Sequence, residues 1–395
     1  MGITLVVNPG SSSKKYALYE GRKSVLEFRF EQTSSGFEVC TTAKGNVQNC
    51  KALSQDDYQS SFSQVAIGVK KHLEEQGKIL DAICVRIVSP GRAFQKHQII
   101  DDFFVRELRR HELSVPLHVP VILQEIQLAR QKFPNVKLVA ASDSAFHSTM
   151  PERARSFSID TSDADAYDIY RFGYHGLSVE SVVRRVHPLT GLNPDKIIVC
   201  HVGGGVSVTA VKQTKSIDTS MGYAPTSGLP MGSRAGDIDA GALLQLMRSK
   251  NLKPSEAEIY IHTKGGLEGL AGSSDIRRLL DRASKDDAIA RQALEHFIYH
   301  IQKAIGAAIA VLGGVDMIVL TGTVCSRSAE MRTMILKNLD YLGVVIDNDR
   351  NEALVGLDGV FSVQHSKLKL AAIRTDEMGE MATIAEQSDL PVFGQ

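Results

Sequence analysis

The segment from Asp218 to Asp239 combines residue types that bind negatively charged ligands. It places Arg234 among glycines, prolines and small hydroxyl residues, a composition that excludes a regular helix or a central strand. Glycine lets a ligand approach the backbone closely, and a guanidinium binds phosphate or carboxylate through paired hydrogen bonds. The composition therefore predicts a long, ordered, functional loop. The alternative is a structural loop in which Arg234 pairs with Asp237 or Asp239.

A second candidate for ligand binding lies near the N-terminus. An apolar strand, residues 3–7, leads into Asn8 and the run P-G-S-S-S-K-K, and a second strand follows at 16–19. Backbone amides and hydroxyls of such a turn point into one concavity, which suits phosphate. Lys14 and Lys15 lie on opposite faces of a strand, so only one of them faces the concavity. A solvated turn is the alternative.

The same plan occurs again in the second half of the chain. Residues 197–208 read as an apolar strand, a glycine turn at 203–205 and an alternating strand, and His201 takes the place of Asn8. A third apolar strand, residues 317–321, also enters a turn of small residues. Repeated units of this kind predict a duplicated α/β fold with the active site between its halves.

Three further residues could carry chemistry. Arg86 interrupts the apolar strand 82–88, where a charge must be paired or must face a cleft. Asp143 follows the strand 137–141, at the edge where α/β sheets bind ligands, although a helix cap would also explain it. His175 precedes a predicted helix at 179–186, and it could donate to a phosphoryl oxygen or cap that helix.

The remaining elements complete an α/β pattern. We predict a helix from Pro116 to about residue 129, a helix opened by the cap signature at 273–278, and a strand at 367–373. Further helices are expected at 240–248, at 288–312 and from just after Glu377 to about residue 386. The last helix is expected to pack on the N-terminal domain. The polar stretch 31–63 is predicted to be a peripheral insertion.

Composition limits the classes of function. A chain of 395 residues is expected to form two domains, and 45 basic against 45 acidic residues argue against a nucleic-acid partner. The five cysteines are scattered without a C-x-x-C pair, which predicts a reduced cytoplasmic chain with neither a disulfide framework nor a zinc site. The N-terminus lacks the features of a signal peptide, and no apolar run is long enough to span a membrane.

Ten motifs occur in an order that resembles the acetate kinase family, within the superfamily of sugar kinases, Hsp70 and actin. They are N-P-G-S-S-S-x-K at 8–15, V-R-I-V near 86, P-L-H at 116–118, D-S-A-F-H at 143–147, Y-H-G at 174–176, C-H-V-G-G-G at 200–205, D-T-S-M-G-Y-A-P at 218–225, G-S-R-A-G-D-I-D at 232–239, S-S-D-I-R at 273–277 and T-D-E at 375–377. The resemblance covers nearly the whole chain.

The resemblance implies a duplicated ribonuclease H-like fold of two domains with a central cleft. The N-terminal domain would comprise residues 1–146 and 381–395, and the C-terminal domain residues 147–380. The implied reaction is reversible, Mg²⁺-dependent phosphoryl transfer from ATP to acetate, giving acetyl phosphate and ADP, in a cytoplasmic homodimer. Alternatives are a propionate or butyrate kinase, an acetate kinase with another donor such as pyrophosphate, and a nucleotide-dependent switch or chaperone.

The resemblance also implies roles for individual residues. Arg86 and Arg234 would bind the carboxylate and the transferring phosphoryl group, His175 would contact that group, and Asp143 would orient or activate the acceptor. Asn8 and Glu377 would hold the metal, with help from Asp143. The acyl pocket would be formed by Val88, Leu117, Tyr174 and Pro225. Nucleotide and phosphate contacts would come from Ser13, Lys15, His201, Gly203, Gly204, Gly205, Asp275, Ile276, Arg277, Gly322 and Thr323.

The chain departs from the family pattern most clearly in the adenosine loop. The family usually has G-G-I-G-E-N where this chain has G-T-V-C-S-R at 322–327. Side chains at Thr323 and Cys325, together with the bulk of Arg327, are expected to crowd a nucleoside. An altered phosphoryl donor, with Arg327 meeting a phosphate, follows as a hypothesis.

Overall fold

The computed structural model describes residues 2–10, 13–33, 36–43, 48–116, 118–387 and 389–392. The chain divides into two compact units. Unit 1 comprises Met1–Ala145 and Asp376–Gln395, and unit 2 comprises Phe146–Thr375. The divisions therefore fall after Ala145 and after Thr375, whereas the domain boundaries expected from the resemblance fall after residues 146 and 380.

The strands of unit 1 are β1 (Ile3–Pro9), β2 (Ser13–Glu20), β3 (Lys23–Thr33), β4 (Gly36–Ala43), β5 (Gln48–Leu53), β6 (Ala82–Ile87), β7 (Gln98–Ile99) and β8 (Lys137–Ser142). Those of unit 2 are β9 (Lys196–Val202), β10 (Val206–Lys212), β11 (Lys215–Thr219), β12 (Met317–Thr321), β13 (Gly359–Val360) and β14 (Lys369–Ala372).

The helices of unit 1 are α1 (Gln55–Gln59), α2 (Ser61–Gln76), α3 (Asp102–Arg109), α4 (Val119–Lys132) and the C-terminal α16 (Glu377–Ala385). Unit 2 contains α5 (Glu152–Arg155), α6 (Thr161–Tyr167), α7 (Gly176–Thr190), α8 (Ala240–Lys250), α9 (Pro254–Thr263), α10 (Gly266–Ala271), α11 (Ile276–Ser284), α12 (Ala288–Leu312), α13 (Gly322–Arg327), α14 (Ala329–Leu336) and α15 (Asn348–Ala353). Short 3₁₀ helices occur at Arg92–Phe94, Ala145–Thr149 and Asp340–Leu342.

Each unit is built on one mixed sheet, and the two sheets share a plan. The order in unit 1 is β5-β4-β3-β2-β1-β6-β8-β7, and in unit 2 it is β11-β10-β9-β12-β14-β13. The strands β3-β2-β1 are antiparallel neighbours and β1-β6-β8 are parallel, and β11-β10-β9 and β9-β12-β14 repeat those relations. The predicted duplicated α/β fold is confirmed by this five-strand repeat.

Apolar helix faces cover the sheets. In unit 2, Val179, Val182 and Val186 of α7 pack against inward residues of β9, β12 and β14, and the spacing of these three valines is that of one helix face. In unit 1, α16 packs against β1 and β6. The C-terminal helix therefore returns to the N-terminal unit, as predicted.

The polar stretch 31–63 forms the end of β3, β4, β5, α1 and the start of α2. Strands β4 and β5 lie at the edge of the sheet, outside the five strands that the two units share. A direct cross-strand pair joins Cys40 to Cys50, and a disulfide links them. The prediction of a fully reduced chain is wrong here, because strand pairing brings together two cysteines whose spacing matches no recognised motif. Cys84, Cys200 and Cys325 are free and buried.

Helix boundaries agree with the sequence patterns to within a few residues. The longest helix, α12, runs from Ala288 to Leu312 as predicted, and Asp287 caps it by accepting from the amides of Ile289 and Ala290. Asp275 caps α11 in the same way, through the amide of Arg277. Among the described residues, we find no helix whose length and apolar character would let it cross a bilayer.

Candidate active site

A cluster of charged and polar side chains lies at one edge of the unit 1 sheet. Asn8 near the end of β1, Arg86 near the end of β6 and Asp143 just after β8 come together because these three parallel strands end at the same edge. Arg86 Nη2 donates to Asp143 Oδ2 at 2.9 Å, and Arg86 Nη1 lies 3.3 Å from Asn8 Oδ1. Glu377, the first residue of α16, completes the group, with Oε2 3.5 Å from Arg86 Nη1 and 3.4 Å from Asn8 Nδ2.

The charge balance of this cluster explains how it can be buried. The Arg86 side chain is 17% exposed and that of Asp143 is 1% exposed. Burial by itself lowers the pKa of Arg86, but the carboxylates of Asp143 and Glu377 outweigh it, so the pKa of Arg86 is raised. Arg86 therefore stays charged. Its ion pair with Asp143 accounts for the carboxylate that could otherwise have been only a helix cap.

The oxygens of this cluster suit a small, hard cation. Asn8 and Glu377 offer an amide and a carboxylate oxygen, the ligand types that Mg²⁺ prefers. Mg²⁺ sites in phosphotransferases commonly use only one or two protein carboxylates, with water and substrate phosphates as the other ligands. The described residues contain no group of three or more His, Cys, Asp or Glu that could hold a metal ion unaided. The donor set therefore fits Mg²⁺ held together with a substrate.

The β1–β2 hairpin orients the two neighbouring lysines differently. Asn8 pairs with Lys15 across the strands and Pro9 pairs with Lys14, and the Gly10 amide donates to the Ser13 carbonyl at 2.8 Å. Directly opposed residues share a face, so Lys15 is on the face of Asn8. Lys15 is exposed, whereas Lys14 is buried. The lysine that faces away is thus identified as Lys14.

In unit 2, two histidines stack beside the β9–β10 turn. The ring centroids of His175 and His201 are 4.2 Å apart. Ser207 Oγ lies 3.0 Å from His175 Nδ1, and Ser178 Oγ lies 2.7 Å from His201 Nδ1. His175 occupies the position before α7 with φ +62, but its side chain makes no capping bond. His175 is thus the N-cap residue of α7, but its side chain does not cap the helix, and its Nδ1 is engaged by Ser207.

The glycine turn lets the His175 ring approach the backbone closely, and Arg234 lies nearby. A Cβ placed on Gly205 would lie 2.8 Å from His175 Nε2 and 3.7 Å from Arg234 Nη1. A Cβ on Gly203 would lie 3.3 Å from both His201 Nε2 and Thr323 Oγ1. The turn at 203–205 thus gathers two histidines, an arginine and a threonine around backbone that lacks side chains.

The loop that carries Arg234 is held to α9 and the residues after it. The Ala235 amide donates to the Ile261 carbonyl at 2.9 Å, and Ser233 Oγ donates to the His262 carbonyl at 3.0 Å. Arg234 Nη1 donates to the Pro225 carbonyl at 3.1 Å. Of the two carboxylates considered as its partners, Asp237 accepts from the Gly228 amide and Asp239 caps α8. The segment is an ordered loop, as predicted.

Several of the unit 2 residues expected to bind nucleotide lie around the same turn. A Cβ on Gly232 would be 3.8 Å from the Gly204 carbonyl oxygen and 3.3 Å from Ser274 Cβ, which brings the start of α11 beside the turn. Asp275 and Arg277 form an ion pair at 2.9 Å, and hydrogen bonds from Arg277 lower the pKa of Asp275. Ile276 is buried.

The altered adenosine segment forms the short helix α13. Gly322 has φ +84, and a Cβ there would lie 2.4 Å from the Val202 carbonyl oxygen. Thr323 and Arg327 are exposed, but Cys325 is fully buried. The prediction that Cys325 crowds a ligand is wrong, because its side chain points into the body of unit 2.

The described residues among the four predicted to form the acyl pocket belong to both units. Val88 is buried in unit 1, and Tyr174 and Pro225 are buried in unit 2. The Tyr174 hydroxyl donates to the Tyr223 carbonyl at 2.7 Å. Leu117 lies outside the described residues.

Sequence reasoning missed several residues that support the predicted ones. Ser207 contacts His175, and Ser178 contacts His201. Ser207 lies on an inward position of an alternating strand and Ser178 on the inward face of an amphipathic helix, and these positions could have indicated both. His262 is 3% exposed, and its Nδ1 has no hydrogen-bond partner among the described residues. Burial and the neighbouring charge of Arg234 lower the pKa of His262 to about 4. No motif marks His262, because only the folded loop brings it to Arg234.

Comparison of the sequence with known proteins identifies its family. A model of the acetokinase family matches residues 3–385. The acetate kinase of Acetivibrio thermocellus is 36% identical over 393 residues, with 96% of this chain and 97% of that protein covered.

Solved structures agree over the whole length. A propionate kinase from Francisella tularensis superposes with a TM-score of 0.87 at 29% identity, covering 98% of this chain and 99% of that one. The acetate kinase of Porphyromonas gingivalis superposes with a TM-score of 0.83 at 28% identity, covering 98% and 99% of the two chains.

The buried His262 predicts a pH dependence of stability. Its pKa falls from 6.5 to about 4 on folding, so between these values the unfolded chain binds a proton that the folded chain does not. The free energy of unfolding should therefore fall as pH falls through this window, by up to about 1.4 kcal/mol per pH unit. Urea denaturation at pH 7, 6 and 5 should show a shallower decline for His262→Gln than for wild type. The exposed His296→Gln variant is the control, and equal slopes for wild type and His262→Gln would contradict the assignment.

Proposed function

We propose that this chain, which belongs to the acetokinase family and is a phosphotransferase with a carboxyl group as acceptor, is an acetate kinase. The reaction is acetate + ATP ⇌ acetyl phosphate + ADP. The observation that carries the proposal is the cluster in unit 1 in which Arg86, paired with Asp143, lies beside Asn8 and Glu377.

Arg86 and Asp143 are the proposed acceptor-side residues. A guanidinium binds a carboxylate through planar, paired hydrogen bonds, and the buried Nε–H of Arg86 has no partner among the described residues. Asp143, fixed by Arg86 at 2.9 Å, orients or activates the acid. These features support binding of a small carboxylate at Arg86.

Arg234 and His175 are the proposed phosphoryl-side residues. In-line phosphoryl transfer needs positioning and neutralisation of charge on the equatorial oxygens more than it needs covalent chemistry. Arg234 supplies a fixed positive charge, and His175 supplies a ring nitrogen whose orientation Ser207 and His201 restrict. Pre-organisation of this kind favours the transition state because little reorganisation remains.

Asn8 and Glu377 are the proposed holders of Mg²⁺, with Asp143 assisting. When bound, Mg²⁺ would neutralise charge on the transferring phosphate. Around it, Ser13 and Lys15 of the hairpin would contact phosphate. The remaining nucleotide contacts are proposed for His201, Gly203, Gly204, Gly205, Asp275, Ile276, Arg277, Gly322 and Thr323.

Acetate is preferred over longer acids in this proposal because Val88, Leu117, Tyr174 and Pro225 would surround the acyl methyl. One methylene changes discrimination by only about 1–3 kcal/mol in an apolar pocket. Propionate or butyrate is therefore the second candidate acceptor, and the likeness to a propionate kinase with a TM-score of 0.87 favours keeping it.

A donor other than ATP, such as pyrophosphate, is the second candidate on the nucleotide side. Arg327 at the end of α13 is exposed, and so is Thr323 at its start. A guanidinium there could meet a phosphate, whereas the burial of Cys325 removes one of the obstacles to a nucleoside. ATP remains the proposed donor for that reason.

We also propose a cytoplasmic location, which the nucleotide substrate favours and which cell fractionation tests. The Cys40–Cys50 disulfide weighs against it, because disulfides are rare in the cytoplasm. A nucleic-acid partner is not part of the proposal, since acidic and basic residues are balanced. The expected partners are small molecules and a second copy of the chain.

Trapping the product with hydroxylamine tests the proposed reaction. Purified chain with Mg²⁺, ATP and acetate should form acetyl hydroxamate. Arg86→Lys, which keeps a positive charge beside Asp143 but removes the planar fork, or Arg234→Ala should lower the rate by roughly 100-fold or more at unchanged circular dichroism. Repeating the assay with propionate and butyrate, and with GTP and pyrophosphate, separates the candidates by kcat/KM. A chain that forms no acyl phosphate in any combination is not an acyl kinase.

Gly205 offers a second test, because its Cβ would meet the His175 ring. That ring cannot turn freely, being bonded to Ser207 and stacked on His201. Gly205→Ala should therefore lower kcat by about tenfold or more without loss of fold. Gly306→Ala, where a Cβ meets open space in α12, is the matched control and should retain wild-type kcat. Equal kcat for the two variants would remove the role given to this close approach.

The proposed homodimer has support from α8, every residue of which remains at least partly exposed. Leu244 of α8 is 49% exposed and Ile259 of α9 is 51% exposed, although both are apolar. Burying them against a second copy would remove apolar surface from water. Light scattering of the purified chain should give twice the mass of one chain, and Leu244→Glu should halve it. A single-chain mass for wild type would rule the dimer out.

A further inference from the structure

A buried ion pair in unit 1 has no part in the proposed reaction. Lys14 Nζ of β2 lies 2.9 Å from Glu125 Oε1 of α4, and the two side chains are 7% and 0% exposed. The hydroxyl of Tyr16, two residues further along β2, lies 3.1 Å from both carboxylate oxygens and 3.0 Å from Ser61 Oγ of α2. Glu125 thus binds two polar side chains on the inner face of β2.

Such a pair is not explained by stability. Desolvation of two charges can exceed their attraction, so replacing a buried ion pair by apolar residues is often neutral or stabilising. Burial raises the pKa of Glu125 more than its contacts with Lys14 and Tyr16 lower it, as expected for a carboxylate taken out of water. Unlike apolar contacts, a buried ion pair can favour one register of the strand over another.

We compare the observed register of the β1–β2 hairpin with a register shifted by one residue. Asn8 pairs with Lys15, and Pro9 pairs with Lys14. A slip of one residue reverses the faces of a strand, and it would point Lys14 instead of Lys15 to the face of Asn8. With lysine at both positions, the charge pattern of β2 does not decide between the two. Glu125 does distinguish the two registers, because its carboxylate lies only on the inner side of β2.

We propose that Glu125 is a positioning residue: by binding Lys14 and Tyr16 on the inner face of β2, it presents Lys15 beside Asn8 for the phosphoryl donor. This inference rests on the proposed function for the role of Lys15. Glu125 would not contact the donor. It would act through the register and rigidity of the hairpin.

Two variants separate positioning from stability. Glu125→Gln leaves the Lys14 charge buried without its carboxylate, and it should lower the melting temperature. The double variant Lys14→Met/Glu125→Leu replaces the pair by apolar side chains of similar size, so it should melt within a few degrees of wild type. Arg130→Gln is the control, since it removes an ion pair of the same helix, with Asp102, that is exposed.

Hydrogen exchange of the amides from Val7 to Tyr16 is the first readout. In the double variant we expect exchange there to rise by about tenfold, while β6 and β8 exchange as in wild type and the control is unchanged. The second readout is kinetic. The KM for the donor should rise about tenfold in the double variant, and the KM for acetate should stay near the wild-type value.

Wild-type exchange in the hairpin of the double variant would overturn the inference, and so would faster exchange with an unchanged donor KM. If the wild-type chain formed no acyl phosphate, the proposed function would be wrong on its own account. The exchange comparison would then still decide whether Glu125 holds the hairpin in register.

Discussion

The bonding of the Arg86 guanidinium is the constraint on which the arrangement of unit 1 depends. A charge near the end of an apolar strand is tolerated only with close partners, and Asp143, Asn8 and Glu377 supply them from another strand, the first strand and the last helix. This requirement ties the C-terminal helix to the N-terminal sheet. It also keeps a permanently charged guanidinium at the sheet edge where ligands of α/β folds bind.

Unit 2 uses the same five-strand plan for different chemistry. His201 takes the place of Asn8, and the turn after it consists of glycines instead of the Pro-Gly-Ser sequence of the first hairpin. Backbone without a Cβ atom allows the His175 ring to approach to a distance that any side chain at Gly205 would prevent. Duplication thus supplied two scaffolds, and local residue choice gave one a charge cluster and the other a close-packed turn.

Residue types and their order were enough for the family, the repeat and most elements. The helix at 288–312 and the strands at 82–88 and 137–141 follow from apolar runs and caps, which are local properties. Asp143 and Arg86 could be picked out because burying a charge beside an apolar strand costs free energy unless the charge is paired or faces a ligand site. The two adjacent lysines at 14 and 15 could be seen, but not told apart.

Only the tertiary structure decided which side chains meet. Glu125 is far from Lys14 in the chain, as His262 is from Arg234 and Glu377 from Asn8, and no periodicity reports such contacts. The same reason hid the Cys40–Cys50 disulfide and the inward direction of Cys325. Sequence determines local conformation through short-range sterics and apolar spacing, whereas partners of buried charges and thiols depend on how distant strands and helices pack.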